Sequence, residues 1–195
     1  MSAGGQKFRL FVALPVPVEI KNALAETQHQ LRKILPGSSA GWTNSDRMHL
    51  TLRFLGDVEP VRVEALTSSL AAAAGNFGPI ELLAERLGCF PDVRHPRVLW
   101  ARVQDRGEQL AELQRRIASA TAAFTREPEE PRFTGHITLA RIKKITRPQA
   151  EAIAAFVHAA ADHQFGAWTA AHVELIRSEL SSSGSQYTGV AEFPL

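Results

Sequence analysis

With 195 residues, 45% hydrophobic and 22% charged, the chain has the make-up of a soluble globular protein that buries one core or two small lobes sharing one. A formal net charge of +2 with a pI near 9.0 admits a phosphate-bearing ligand but lacks the dense Lys/Arg footprint of a long nucleic-acid groove. The single cysteine, Cys89, excludes an intramolecular disulfide, reads as a small buried apolar residue, and suits a reducing cytoplasm.

The N-terminal "MSAGGQK" is polar and expected to fray. The apolar run after it, "FRLFVALPVPV", is short and holds Arg9 and two prolines, so it fits neither a signal peptide nor a membrane span. Residues 7–14 read as a strand, ended by Pro15 and Pro17. Apolar positions at helical spacing predict a helix over 18–35. A turn-rich stretch (36–42) leads to the strand "MHLTLRFL" (48–55), and Pro60 opens a helix over 61–74. A strand follows over 80–90. The second half runs strand (97–103), helix (106–124), Pro-rich loop (126–135), strand "HITLARI" (136–142), helix from Pro148 (149–161), and strands at 172–180 and 187–193.

The two halves repeat one another. His49-Leu50-Thr51-Leu52 returns 87 positions later as His136-Ile137-Thr138-Leu139, with Pro60 and Pro148 at nearly equal offsets beyond. A repeat of this length is a duplicated β-α-β-α-β unit, not a solenoid. The expected architecture is α+β: one bilobal domain over 1–195, with repeat units of about 7–90 and 97–193. Its two pseudo-symmetric lobes carry antiparallel-rich sheets that face a central cleft.

Alternation along each motif strand puts His49 and Thr51 on one face and Leu50, Leu52 and Phe54 on the other, and likewise His136 and Thr138 against Ile137 and Leu139. If the lobes pair about a two-fold axis, two imidazoles and two hydroxyls converge. Imidazoles titrate near neutrality, so one can donate a proton while its partner accepts one. Threonine hydroxyls can donate to phosphate oxygens. In-line displacement at phosphorus needs a base on the attacking oxygen and an acid on the leaving one, at opposite ends. No HExxH or Asp cluster supplies a metal alternative, so no metal or cofactor is expected. Chance yields roughly 0.4 His-x-Thr matches in a chain of this composition; two in matched strands of a repeat are a much stronger signal.

With "RLFVALPVP" (9–17), "HLTLRFLG", "RVLWARV", "HITLAR" and the C-terminal "ELIRSELSSSGSQYTGV", nearly the whole chain resembles the two-histidine phosphoesterases, in particular the RNA 2′,3′-cyclic phosphodiesterases, also called 2′-5′ RNA ligases. The resemblance implies cofactor- and metal-free opening of a terminal 2′,3′-cyclic phosphate on RNA, tRNA fragments among the candidates, to a 2′-phosphate. It makes His49 and His136 the acid/base pair and Thr51 and Thr138 the phosphate donors. His136 is expected as the base and His49 as the acid, a direction the pseudo-symmetry leaves easy to reverse. Arg141 matches a phosphate-contacting arginine, though strict alternation puts it on the wrong face unless the strand bulges near Ala140. Arg53 shares the parity of His49 and is a candidate backbone contact. Phe133, Phe11 and Tyr187 are candidates for stacking on the terminal base. The basic stretches 94–97 and 141–144 are either RNA contacts or solvated turns. The expected protein is a cytoplasmic monomer with no membrane contact. The same motifs would also serve 2′-5′ ligation, a small cyclic nucleotide, or a non-catalytic module that binds RNA ends.

Overall fold

The computed structural model describes residues 6–128, 133–181 and 184–195, so part of the loop 126–135 lies outside the described residues. Strand β1, Phe8–Pro15, is buried throughout from Leu10 to Leu14. Pro15 and Pro17 end it ahead of helix α1, Val18–Ile34, which buries the stripe Ile20, Leu24, Gln28 and Leu31. Short strand β2, Ala40–Trp42, precedes β3, His49–Val58. Pro60 starts a 3-10 turn that runs into α2, Val63–Ala74, and β4 spans Ile80–Phe90. After β5, Val98–Asp105, the Asp105 carboxylate accepts the Gln109 and Leu110 N–H groups and starts α3, Gln109–Thr121. Strand β6 is His136–Ile142, and a Thr146/Gln149 capping box opens α4, Arg147–Ala159. Strands β7 (Gln164–Ala170), β8 (His172–Ser181) and β9 (Gly184–Pro194) complete the chain.

The expected elements fall on these, with two additions and one trimmed helix. α3 starts at Gln109 and ends in a 3-10 turn over Ala122–Phe124, shorter than the expected 106–124. The additions are β2, only three residues long, and β7. In β7, Gly166 sits at φ 137 and the register with β4 slips by one residue there, which breaks the two-residue period a strand would show in sequence.

Among the described residues all strands join one antiparallel sheet in the order β7-β4-β5-β6-β3-β1-β8-β9, with β2 added beside β6. The fold is the expected α+β arrangement, with two four-stranded halves that meet at β6 and β3. Each half draws on both repeats. β4, from the first repeat, lies between β5 and β7, whereas β8 and β9, from the end of the chain, extend the sheet beyond β1. The helices exchange too: α1 packs on β7 and α4, while α3 packs on α2 and β3. All four helices contribute to one continuous apolar core on one face of the sheet. The opposite face carries only a small buried cluster, Phe11, Ala13 and Ile176, and is otherwise open.

Candidate active site

The halves join through a single residue pair, Leu50 with Ile137, both fully buried in the core. Antiparallel pairing fixes what flanks it. One residue to either side, His49 stands opposite Thr138 and Thr51 opposite His136, all four half-buried on the open face. The seam of the sheet is therefore also the axis that relates the two motifs. Among the described residues neither threonine hydroxyl has a protein partner, so both can donate into the cleft.

The next three residues of each motif behave alike, and strict alternation does not predict them. In β3, Ala13 pairs with Thr51 and Val12 with Arg53, which leaves Leu52 unpaired as a bulge. In β6, Trp100 pairs with Thr138 and Leu99 with Ala140, leaving Leu139 unpaired in the same way. Each bulge shifts the parity by one. The fifth residue after each histidine, Phe54 and Arg141, is thereby turned outward and exposed. Arg141 thus meets the condition set by its parity, a bulge near Ala140. Arg53 goes the other way. It is buried, and its guanidinium donates to the Pro128 and Glu127 carbonyls at 2.8 and 2.9 Å, so it braces the loop after α3 and is not available as an RNA contact.

Both imidazoles are held identically. His49 Nδ1 lies 2.7 Å from the Arg47 carbonyl and His136 Nδ1 lies 2.8 Å from the Thr134 carbonyl. A carbonyl can only accept, so each Nδ1 carries the hydrogen, and each Nε2 is left with the lone pair. Gly135 sets the second histidine: a Cβ there would come 2.5 Å from the Val103 carbonyl oxygen, so only glycine lets the chain enter β6 this close to β5. The two rings differ in their surroundings. Burial pushes the His49 pKa down to about 4, with the Arg47 carbonyl opposing and Lys21 and His136 adding to the push. A ring with that value is neutral at physiological pH.

Aromatic rings enclose both histidines. Phe11 and Tyr187 lie 4.7 and 5.4 Å from His49, centroid to centroid, and Phe90 and Trp100 lie 5.1 and 6.2 Å from His136. Trp100 lies across Gly88 on the neighbouring strand, where any Cβ would run into the indole. Of the stacking candidates only Tyr187 is open, 38% exposed, whereas Phe11 is 2% exposed and forms the floor under His49 with no face left for a base. Phe133 is half-buried against the main core and is likewise not a stacking platform. Phe54, which alternation places on the core face with Leu50 and Leu52, is instead 48% exposed, because the bulge at Leu52 turns it outward; its signal was the offset it shares with Arg141 in the two motifs.

Two depressions lie on either side of these groups. One, of about 460 Å³, is lined by His49, Lys21, Arg47, Tyr187, Glu174 and Glu192. The other, of about 540 Å³, is lined by Arg141, Arg9, Phe11, Phe54, Tyr187 and Glu127. At the rim of the first, His172, Glu174 and Glu192 bring ligand-type atoms within 4.8 Å of one another, among the described residues the one such group, and it includes neither motif histidine. The stretch 94–97 is a solvated turn, in which Asp92 accepts the Arg94 and His95 N–H groups at 2.7 and 3.0 Å. Cys89 is buried, its thiol pKa pushed up to about 11 by that burial. Among the described residues no helix is long and apolar enough to cross a membrane.

A sheet that carries two His-x-Thr strands side by side at its central seam defines a phosphoesterase of the two-histidine class. Over residues 14–100 and 103–187 the chain matches the family described as LigT like Phosphoesterase, and it belongs to that family. It is 31% identical to the RNA 2′,3′-cyclic phosphodiesterase of Aquifex aeolicus over 155 residues, 79% of this chain and 81% of that one. To the enzyme of the same name from Thermus thermophilus it is 30% identical over 195 residues, covering 96% and 90%. Among solved structures, TT0787 of Thermus thermophilus superimposes with a TM-score of 0.77 at 27% identity, covering 96% of this chain and 97% of that one. LigT of E. coli complexed with 3′-AMP shares the fold with a TM-score of 0.75 at 23% identity, covering 97% and 99%.

Proposed function

We propose that the protein opens terminal 2′,3′-cyclic phosphates on RNA, leaving a 2′-phosphate, by acid/base catalysis between His49 and His136 and without a metal ion. The observation that carries this is the single Leu50–Ile137 pair with a histidine and a threonine on each side of it. A phosphate over that pair meets hydroxyls from both strands and has an Nε2 on each side, the geometry an in-line displacement requires. Thr51 and Thr138 donate to the non-bridging oxygens, and Arg141 adds a cation to the developing charge. Tyr187 stacks on the terminal base. RNA ends in the cytoplasm, tRNA fragments among them, are the substrates, and one copy of the chain, residues 1–195 as a single bilobal domain, supplies the whole site.

One ring takes a proton from the attacking water and the other returns one to the departing 3′ oxygen. With His49 as the acid, the direction expected from the sequence, its proton must arrive with the anionic substrate, because burial leaves the ring neutral beforehand. In the reverse direction His49 is already poised as the base. Proton uptake on binding a non-hydrolysable phosphodiester, lost in H49N but kept in H136N, makes His49 the acid, and the opposite pattern makes it the base.

The deciding experiment incubates the protein, in EDTA, with a short RNA ending in a 2′,3′-cyclic phosphate, with a 2′,3′-cyclic mononucleotide, and with the RNA plus a 5′-hydroxyl strand. Conversion of the RNA to its 2′-phosphate is expected. Tight binding without turnover would make the protein an end-binding module, and a joined 2′-5′ product a ligase. Turnover only after metal is returned would refute the metal-free mechanism.

A further inference from the structure

Gln28 belongs to neither motif and lies in the middle of α1, yet it is 4% exposed, one of the few polar side chains inside the core. Its Nε2 donates to two carbonyls, Leu139 and Thr43, both at 2.8 Å. The Thr43 N–H donates to the same Leu139 oxygen at 2.9 Å. Leu139 is the unpaired bulge residue of β6, and its carbonyl is buried where the strand ladder is interrupted. A buried carbonyl needs a partner, and here α1 and the segment after β2 provide two.

The same device recurs in the other half. Gln114 on α3 points its Nε2 at the Leu52 carbonyl, the bulge residue of β3, at 3.5 Å. Because the helices are exchanged between halves, each repeat's first helix reaches the bulge of the other repeat's motif strand. At 3.5 Å the second contact is too long for a strong hydrogen bond. The tight brace is the one on β6, and the β6 bulge is the one that turns out a cation.

We infer that Gln28 is a positioning residue: by clamping the Leu139 and Thr43 carbonyls it locks the β6 bulge that holds Arg141 on the open face, and so sets the affinity of the cleft for phosphate. This rests on Arg141 acting as a phosphate contact, as proposed above. Without the bulge, parity would return residue 141 to the core face and bring Ala140 to the cleft. No other side chain among those described hydrogen-bonds this carbonyl.

The test uses Q28M, which keeps side-chain length and helix propensity but has no donor, alongside R141A and the double variant. Q28N, with an amide too short to span the gap, replaces Q28M if that protein does not fold. Two readouts are taken: amide hydrogen exchange over 137–142, which is independent of catalysis, and kcat and KM on the cyclic-phosphate RNA. The expected result is faster exchange in Q28M, a KM raised about 10- to 100-fold with a smaller change in kcat, and no further loss when Q28M is added to R141A. Unchanged exchange, an unchanged KM, or an equal loss in both backgrounds overturns the inference. R141A as active as the wild type would instead sink the reading of Arg141 and the effect on affinity built on it, with exchange in Q28M still reporting on the brace.

Discussion

Holding His49 neutral makes folding depend on pH, and the size of the effect follows from the site. The unfolded chain binds a proton on this ring near the ordinary histidine value of 6.5, whereas the folded protein does so only near 4. Between those values the unfolded state holds more protons, so stability rises with pH. The contribution is complete above the unfolded value and is lost as the pH falls from about 6.5 toward 4. Integrating between pH 7.5 and 4.5 gives roughly 2–3 kcal/mol, most of what the whole shift can supply. H49N isolates this contribution, because asparagine can still donate to the Arg47 carbonyl but cannot titrate. Urea unfolding of both proteins at the two pH values is the assay. Other titrating groups are common to both and cancel, so the wild type is expected to lose roughly 2–3 kcal/mol more than H49N. Parallel pH dependence in the two proteins would refute the idea that burial governs this ring. A second readout comes from inorganic phosphate, whose charge favours the protonated ring; it is expected to stabilise the wild type more at pH 5 than at pH 7.5, and H49N about equally.

Three other changes test the surroundings of the pair. G88A drives a methyl into the Trp100 indole that lies tilted beside His136; a loss of about 1–3 kcal/mol in unfolding free energy is expected, with lower kcat/KM in the protein that remains folded. G135A meets the Val103 carbonyl rather than a movable side chain, so it is expected to destabilise more than G88A, measured by thermal unfolding side by side. Y187A removes the open ring beside His49 and is expected to raise KM for RNA by roughly tenfold, in line with about 1–3 kcal/mol for a stacked base; Y187F is expected to stay near the wild type.

The sequence carried the site's four central residues because duplication wrote them twice. His-x-Thr in an apolar run alternates cleanly for three positions, and over that span alternation is a dependable guide to which face a side chain takes. It fails at the fourth residue, where both strands bulge, and that one failure accounts for two different errors: Arg53 read as a candidate contact on the cleft face and Phe54 placed on the core face. A bulge is a property of strand pairing, so a single strand's sequence signals it poorly. The aromatic shell was misjudged for a related reason. Phe11, Phe90, Trp100 and Tyr187 come from four strands, β1, β4, β5 and β9, and which ring lies on the floor and which at the rim depends on strand order. Strand order was hidden as well, because β4 and the β8–β9 pair cross to the half opposite the helix or strand they follow.

That crossing explains how so slender a seam can hold the two histidines in register. β3 and β6 share one residue pair, and a backbone hydrogen bond contributes only about 1 kcal/mol net, far too little to fix two lobes against each other. The exchanged elements do it instead. β1 begins one half, and the helix that follows it packs against β7 in the other; α3 follows β5 and packs against β3. Each half is thus built around pieces that belong in sequence to its partner, and a lobe that drifted would have to strip helices from both cores. The braces from Gln28 and Gln114 have the same crossed origin. Rigidity between the histidines therefore comes from the wide apolar faces behind the sheet, which leaves the seam itself thin, polar and open enough to admit a phosphate.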